Sequence, residues 1–319
     1  MNFQEAVRII TDQLQTSDEE ATTILEKAES GGEIGGDTSV QNWVDNRLLP
    51  NCVAIDEEGY AHMCVDALKI LSNTAGTDYG GSRQRDLAQL WADMTRGYLG
   101  ELAFLEFLEQ KKGIRAQLGH EVGRLKDFLP LDIHSVQLPG QEARQPRIKI
   151  SIKTTKWNGI WLDIPGDQFS HSDVHVLVKV GAGRAHLFAF FKALSVFKDK
   201  VLKRGEEVGA LTSVASQQLF DSLPTFKPIN AYICGFVRKD HEYHSLSYAG
   251  KSGRKNYKVT SWNGPMETGD LEKIRQREGI SGTVEFEGIG RFGHDRMYLF
   301  NAGNLLWKDT DWTKVIESL

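Results

Sequence analysis

The sequence predicts an α/β protein with a helical front end. Three observations carry this. Apolar residues recur at three- and four-residue spacing up to about residue 111. One long helical stretch, 85–111, closes that region. After residue 126 the period changes to two, as strands require. With 319 residues there is enough chain for one large domain or two modest ones, each with a real core. The pattern divides into a small helical module over 1–75 and a larger domain over 76–319 with a C-terminal strand and loop extension.

The module begins with Phe3, Val7, Ile10 and Leu14 at helical spacing. Ser17 and Glu20 form a capping box ahead of Ala21, Ile24 and Leu25. A glycine-rich break, SGGEIGGD, comes next, and then Val40, Trp43, Val44 and Leu48 share one face. A helix around Ala61–Leu71 leads through a polar loop to the long helix. There Gly97 and Gly100 each cost about 1 kcal/mol of helix stability against Ala, a cost consistent with close approach of a neighbouring backbone. Glu101 lies on the apolar face with Phe104, Leu105 and Leu108, and a carboxylate in that position needs a cation, a metal or a donor.

The strands expected in the second part are LDIH, RIKISIKTT, GIWLDIP, VHVLVKV and INAYICGFV. HLFAFFKAL reads as a strand running into a helix, and EKIRQREG as a short helix. Residues 239–264 read as a polar, basic, loop-rich stretch. GTVEFEGIGRFGHDRMYLF reads as a hairpin. Two similar segments, KTTKWNG and KVTSWNG, both read as strand ends with an Asn-Gly turn.

Composition removes several classes. No run of about 18 apolar residues exists, so no membrane span is expected. The N-terminus has early acids and no A-x-A cleavage site, unlike a signal peptide. Cys52, Cys64 and Cys234, odd in number and far apart, exclude a disulfide scaffold and a cysteine zinc ribbon and point to a reducing cytoplasm. GIGRFG (288–293) fits GxGxxG but has no following helix. AGKSG (249–253) lacks the first glycine of a phosphate loop. HEYH (241–244) is one residue short of HExxH, and no GxSxG occurs. The net charge of −5 hides an asymmetry: residues 1–60 carry 13 acids and 3 bases, and the remaining chain is mildly basic. That body is compatible with a polyanionic partner.

On the strand RIKISIKTT, Ser151 and Lys153 share the face opposite Ile150 and Ile152. If LDIH pairs with it, Asp132 joins that polar face, and the preceding helix supplies Glu101. The order is helix-Glu, strand-Asp, then x-x-Lys on the next strand.

In order and residue type this resembles the PD-(D/E)xK nuclease superfamily, the fold of most restriction endonucleases. RGYLGELAF matches its first helix, PLD (130–132) its first motif and SIK (151–153) its second, while WLDIPGDQF and VHVLVKV resemble the strands that complete the core. The likeness covers about residues 85–180. It implies a restriction-endonuclease-like core, a central mixed sheet flanked by helices, and a Mg²⁺-dependent DNA endonuclease, foremost a type II restriction enzyme acting as a homodimer on double-stranded DNA. Asp132 would anchor the metal, with Glu101 or Asp163 supplying a second carboxylate. Lys153 would serve the chemistry. Two departures stand out: Leu131 separates the Pro from the Asp, and Ser151 replaces the second acid. Lys156, Trp157 and Asn158 after the motif strand, with Arg254, Lys255 and Lys258 in the basic stretch, are the candidate DNA contacts. The rival expectations are a catalytically silent DNA-binding protein on the same fold and a structure-specific repair or recombination nuclease.

Overall fold

Residues 1–71, 86–119, 132–240, 247–253, 255–267, 269–288 and 296–319 are described by the computed structural model. The chain opens with α1 (Phe3–Leu14), whose first turn is closed by a reciprocal box between Asn2 and Glu5. Ser17 caps α2 (Asp18–Ser30) by accepting from the Glu20 amide, but the Glu20 carboxylate takes the Thr16 hydroxyl, so the expected box is half formed. Then follow α3 (Val40–Trp43), helical turns through Asn51, β1 (Cys52–Ile55), α4 (Glu57–Leu71) and the long α5 (Leu87–Lys112). Gly113, in the left-handed region, ends α5.

Beyond it lie β2 (Arg115–Leu118), β3 (Ile133–Gln137), β4 (Ile150–Lys156), β5 (Trp161–Pro165), α6 (Gly166–Phe169), β6 (Val174–Val180) and α7 (Arg184–Ala193). Helical turns then lead to α8 (Lys203–Glu207) and α9 (Ser213–Ser222). The chain finishes with β7 (Ile229–Arg238), β8 (Ser247–Ser252), β9 (Tyr257–Glu267), α10 (Asp270–Arg277), β10 (Val284–Phe286), β11 (Arg296–Asn301) and α11 (Asp309–Ser318).

The protein is α/β, with mixed sheets flanked by helices. The central sheet has the order β1-β7-β6-β4, with β4 and β6 parallel and the other pairs antiparallel. β6 is buried along its whole length because both of its faces are covered. On one face Ile150, Ile152, Val174, Val176, Val178, Ile229 and Ile233 pack with Leu99, Ala103, Phe104 and Phe107 of α5 and Trp312 of α11. On the other, Leu177, Tyr232 and Cys234 meet Ile10, Leu25, Trp43 and Leu48 of the N-terminal helices. The module therefore covers one face of the central sheet and shares its core. The boundary expected near residue 75 is also bridged by β1, which pairs with β7, and by α4, which packs on α5.

A second sheet, ordered β10-β9-β11-β5 with β8 on β9, has its own core around Trp161, Trp262, Phe286 and Leu299. It corrects four sequence expectations. WLDIP pairs with β11 here and does not extend the central sheet. The stretch expected as loop holds β8 and β9. KVTSWNG runs straight through β9 with no turn, because Asn263 is paired with Ser247 on one side and Phe300 on the other. Finally, β10 and β11 flank β9 and do not form a hairpin with each other. HLFAFFKAL is helical from His186 to Ala193 as part of α7, with Leu194 the extended residue that caps it: Leu187, Phe190, Phe191 and Leu194 pack on the main core. Residues 241–244 and 289–293, which carry HEYH and most of GIGRFG, lie outside the described residues.

Candidate functional site

The site forms along the outer edge of β4, and α5 is pressed against that strand by a missing side chain. A Cβ on Gly100 would overlap the Thr154 hydroxyl, so only glycine permits the observed approach. The same hydroxyl donates to the Gly97 carbonyl at 3.2 Å. Gly100 thus carries the close contact that its helix cost implied, whereas a Cβ on Gly97 would meet nothing within 4 Å, and the turn bearing Glu101 is fixed beside β4.

Asp132 is brought to the same edge. Its amide donates to the Ile150 carbonyl at 3.3 Å, its carboxylate accepts from the Ile152 amide, and the nearby Ser151 hydroxyl favours its ionised form. The expected pairing of LDIH with RIKISIKTT goes no further than this one residue. From Ile133 onward the chain pairs with β2, burying Ile133 and Val136 against the main core. Pro130 and Leu131 of the PLD motif lie outside the described residues.

Glu101, Asp132, Ser151 and Lys153 are therefore gathered at one edge, each half-buried. Burial pushes the Glu101 carboxyl up to about 8, and the neighbouring Asp132 adds to the rise while Lys153 opposes it. Burial also raises Asp132, against the Ile152 amide, the Lys153 charge and the Ser151 hydroxyl. Two carboxyl groups so placed resist being ionised together unless a cation joins them. The Lys153 ammonium donates to the amide oxygen of Gln168 in α6 at 2.6 Å.

Asp163 is placed elsewhere. It sits exposed on β5, opposite Leu299, in an adjoining cavity of about 310 Å³ whose wall includes Arg96, Thr155 and Glu287. Among the described residues no group of three or more His, Cys, Asp or Glu side chains is arranged to hold a metal ion. The β4 edge offers two carboxylates and a hydroxyl.

The DNA-contact candidates divide. Trp157 is 6% exposed, stacks on Tyr232 with ring centroids 6.4 Å apart and abuts Gly181, so it is a core residue and no surface contact. Lys156 and Asn158, its neighbours, are exposed. Lys255 and Lys258 are exposed on the β8–β9 hairpin, where Lys258 stands opposite Lys251. Like charges directly opposite destabilise a sheet, although Glu285 on β10 offsets Lys258 from the other side. Arg254 lies outside the described residues.

Sequence reasoning missed Gln168, since a glutamine in a four-residue helix has no periodic signature. It also missed a buried charge cluster beneath the module. Glu33, from the glycine-rich break, accepts from Lys179 at 2.7 Å, Tyr232 at 2.7 Å and Trp43 at 3.2 Å, with Arg47 at 3.8 Å. The alternation within VHVLVKV does place Lys179 on the face of Leu177, which was the available signal. Comparison of the chain with protein-family models, curated proteins and solved structures finds no match. Among the described residues no helix is long and apolar enough to cross a membrane.

Proposed function

We propose that this protein is a Mg²⁺-dependent DNA endonuclease with a restriction-endonuclease-like core, foremost of the type II, site-specific kind. The carrying observation is the convergence of Asp132, Glu101 and Lys153 on the outer edge of β4, the last strand of the central sheet. The donor set fits Mg²⁺, a hard cation commonly bound through one or two carboxylates, waters and substrate phosphate oxygens. Asp132 and Glu101 would hold it, and a divalent charge there would favour ionisation of the two acids that burial opposes. Bound, the ion supplies a more acidic water and polarises the phosphoryl oxygen.

The protein's own groups do the rest. The Ile152 amide holds the Asp132 carboxylate in one orientation, and the Ser151 hydroxyl favours its ionised form. The Lys153 ammonium lies where negative charge on phosphorus would be met by a fixed positive group. Lys156, Asn158, Lys255 and Lys258 are exposed for contact with backbone or bases. Cutting both strands needs two such sites, hence a homodimer.

The test is digestion of a defined plasmid with Mg²⁺ or EDTA, beside Lys153→Ala. Metal-dependent cutting into discrete bands, lost in Lys153→Ala while DNA binding in Ca²⁺ persists, is expected. DNA binding without cutting would favour a silent binding protein, for which the serine in place of an acid is the supporting observation. Cutting without discrete bands would favour a structure-specific nuclease.

A further inference from the structure

We infer that Gln168 is a positioning residue for Lys153; the inference rests on the nuclease reading. A lysine ammonium on four flexible carbons has about 2 kcal/mol of rotamer entropy to lose and no preferred direction of its own. Here one of its three N–H donors is taken by the Gln168 amide oxygen at 2.6 Å, leaving two for a phosphate oxygen or a water. A neutral acceptor orients the amine without cancelling its charge, as a carboxylate would.

Gln168 is itself firmly held, although α6 is only four residues long. The next residue, Phe169, is stacked on Tyr298 of β11 at 3.7 Å and on His175 of β6 at 5.2 Å. The His175 ring nitrogen Nε2 lies 3.3 Å from the Phe169 carbonyl, which fixes the backbone beside the glutamine. In register, His175 stands opposite Ser151 on the neighbouring strand. The segment joining the two sheets therefore carries the group that aims Lys153.

The experiment uses the full-length protein labelled with [¹⁵N]lysine, and Gln168→Leu and Gln168→Glu. The Lys153 ammonium resonance, assigned by its absence in Lys153→Met, should be sharp and slow to exchange in the wild type and in Gln168→Glu. It should be broadened or lost in Gln168→Leu, which keeps the bulk and removes the acceptor. Gln168→Leu should lower kcat by about ten- to a hundredfold, the scale of a misoriented group, with KM for DNA and Tm little changed; Gln168→Glu should recover part of the rate. A wild-type resonance and rate in Gln168→Leu, with Lys153→Ala inactive, would overturn the Gln168 assignment alone. A wild type that never cuts DNA overturns the nuclease reading, and the positioning role with it.

Discussion

The hydroxyl of Ser151 faces the carboxylate of Asp132 and favours its ionised form. The residue that stands where the nuclease resemblance calls for a second acid thus serves the first acid. It stabilises the ionised form of a half-buried carboxyl group without adding charge to a site that already holds Glu101. Ser151→Ala should cost about 1 kcal/mol of stability, the net worth of one ordinary side-chain hydrogen-bonding group after solvent competition. Urea unfolding with an unchanged m-value would measure it, and no change in midpoint would argue that water replaces the hydroxyl.

The carboxylate pair offers a sharper test. If Glu101 supplies the acid that position 151 lacks, Glu101→Gln should weaken Mg²⁺ dependence and rate together. Ser151→Glu combined with Glu101→Ala should then recover activity relative to Glu101→Ala alone, because the charge returns to the motif strand. Normal cutting by Glu101→Gln at limiting Mg²⁺ would remove Glu101 from the site and leave Asp163, in the adjoining cavity, as the acid to examine.

In EDTA the same pair should make stability depend on pH in an unusual direction. The Glu101 carboxyl is pushed up to about 8 from an ordinary 4.5. Between those values the folded protein keeps a proton that the unfolded chain has released, so stability falls as pH rises through that window and levels off above it. Asp132 shifts in the same direction, so Glu101→Gln should flatten the fall without abolishing it. Mg²⁺ should raise Tm more at pH 8 than at pH 5, since it competes with protons for the same oxygens. Superimposable Tm–pH curves for wild type and Glu101→Gln would contradict the assignment.

The buried cluster beneath the module predicts a large stability effect far from the site. Burial alone would raise the Glu33 carboxyl, but Lys179 and Arg47 overcome it and hold the group below its usual range. Glu33, Lys179 and Arg47 are each at most 3% exposed. Glu33→Gln leaves two cations buried without their counter-charge and should cost about 3–5 kcal/mol. Adding Lys179→Met should restore part of that loss, because it removes one stranded charge. If the single change unfolds the protein at the wild-type midpoint, the cluster contributes no net stability.

How much of this could be read in advance varies by element, for physical reasons. Ser151 and Lys153 were legible because strict alternation assigns faces in a strand. Glu101 was legible because a charge among Phe104, Leu105 and Leu108 breaks a helix face. The second sheet was not, because β8 and β9 are rich in Ser, Gly, Lys and Asn: β9 is made a strand by partners on both sides, and β8 by its pairing with β9. Trp157 misled because an aromatic among basic residues suits stacking on bases equally well. Only the apposition of Gly181 and Tyr232 shows that it fills the interior. Glu33 lies in a glycine-rich break, where nothing local reveals that three donors converge on it.

The closest test of the site's architecture is Gly100→Ala. On an isolated helix the change should stabilise by about 1 kcal/mol, since alanine loses less backbone freedom than glycine. In the protein the new methyl group would coincide with the Thr154 hydroxyl and crowd its Cβ and Cγ2. Thr154 is β-branched and stiff about χ1, and the strand behind it is buried against β6, so α5 must move away. Overpacking of this kind costs about 1–3 kcal/mol, which exceeds the propensity gain. The net result should be a less stable protein. Activity should fall further than stability, because the displaced turn is the one that carries Glu101. Thr154→Ala should rescue the double variant in part, as it removes the hydroxyl and one methyl while leaving the Cβ in place. If Gly100→Ala instead raises Tm with activity intact, the helix is not seated on β4 as described, and Glu101 would have to reach the strand edge by another route.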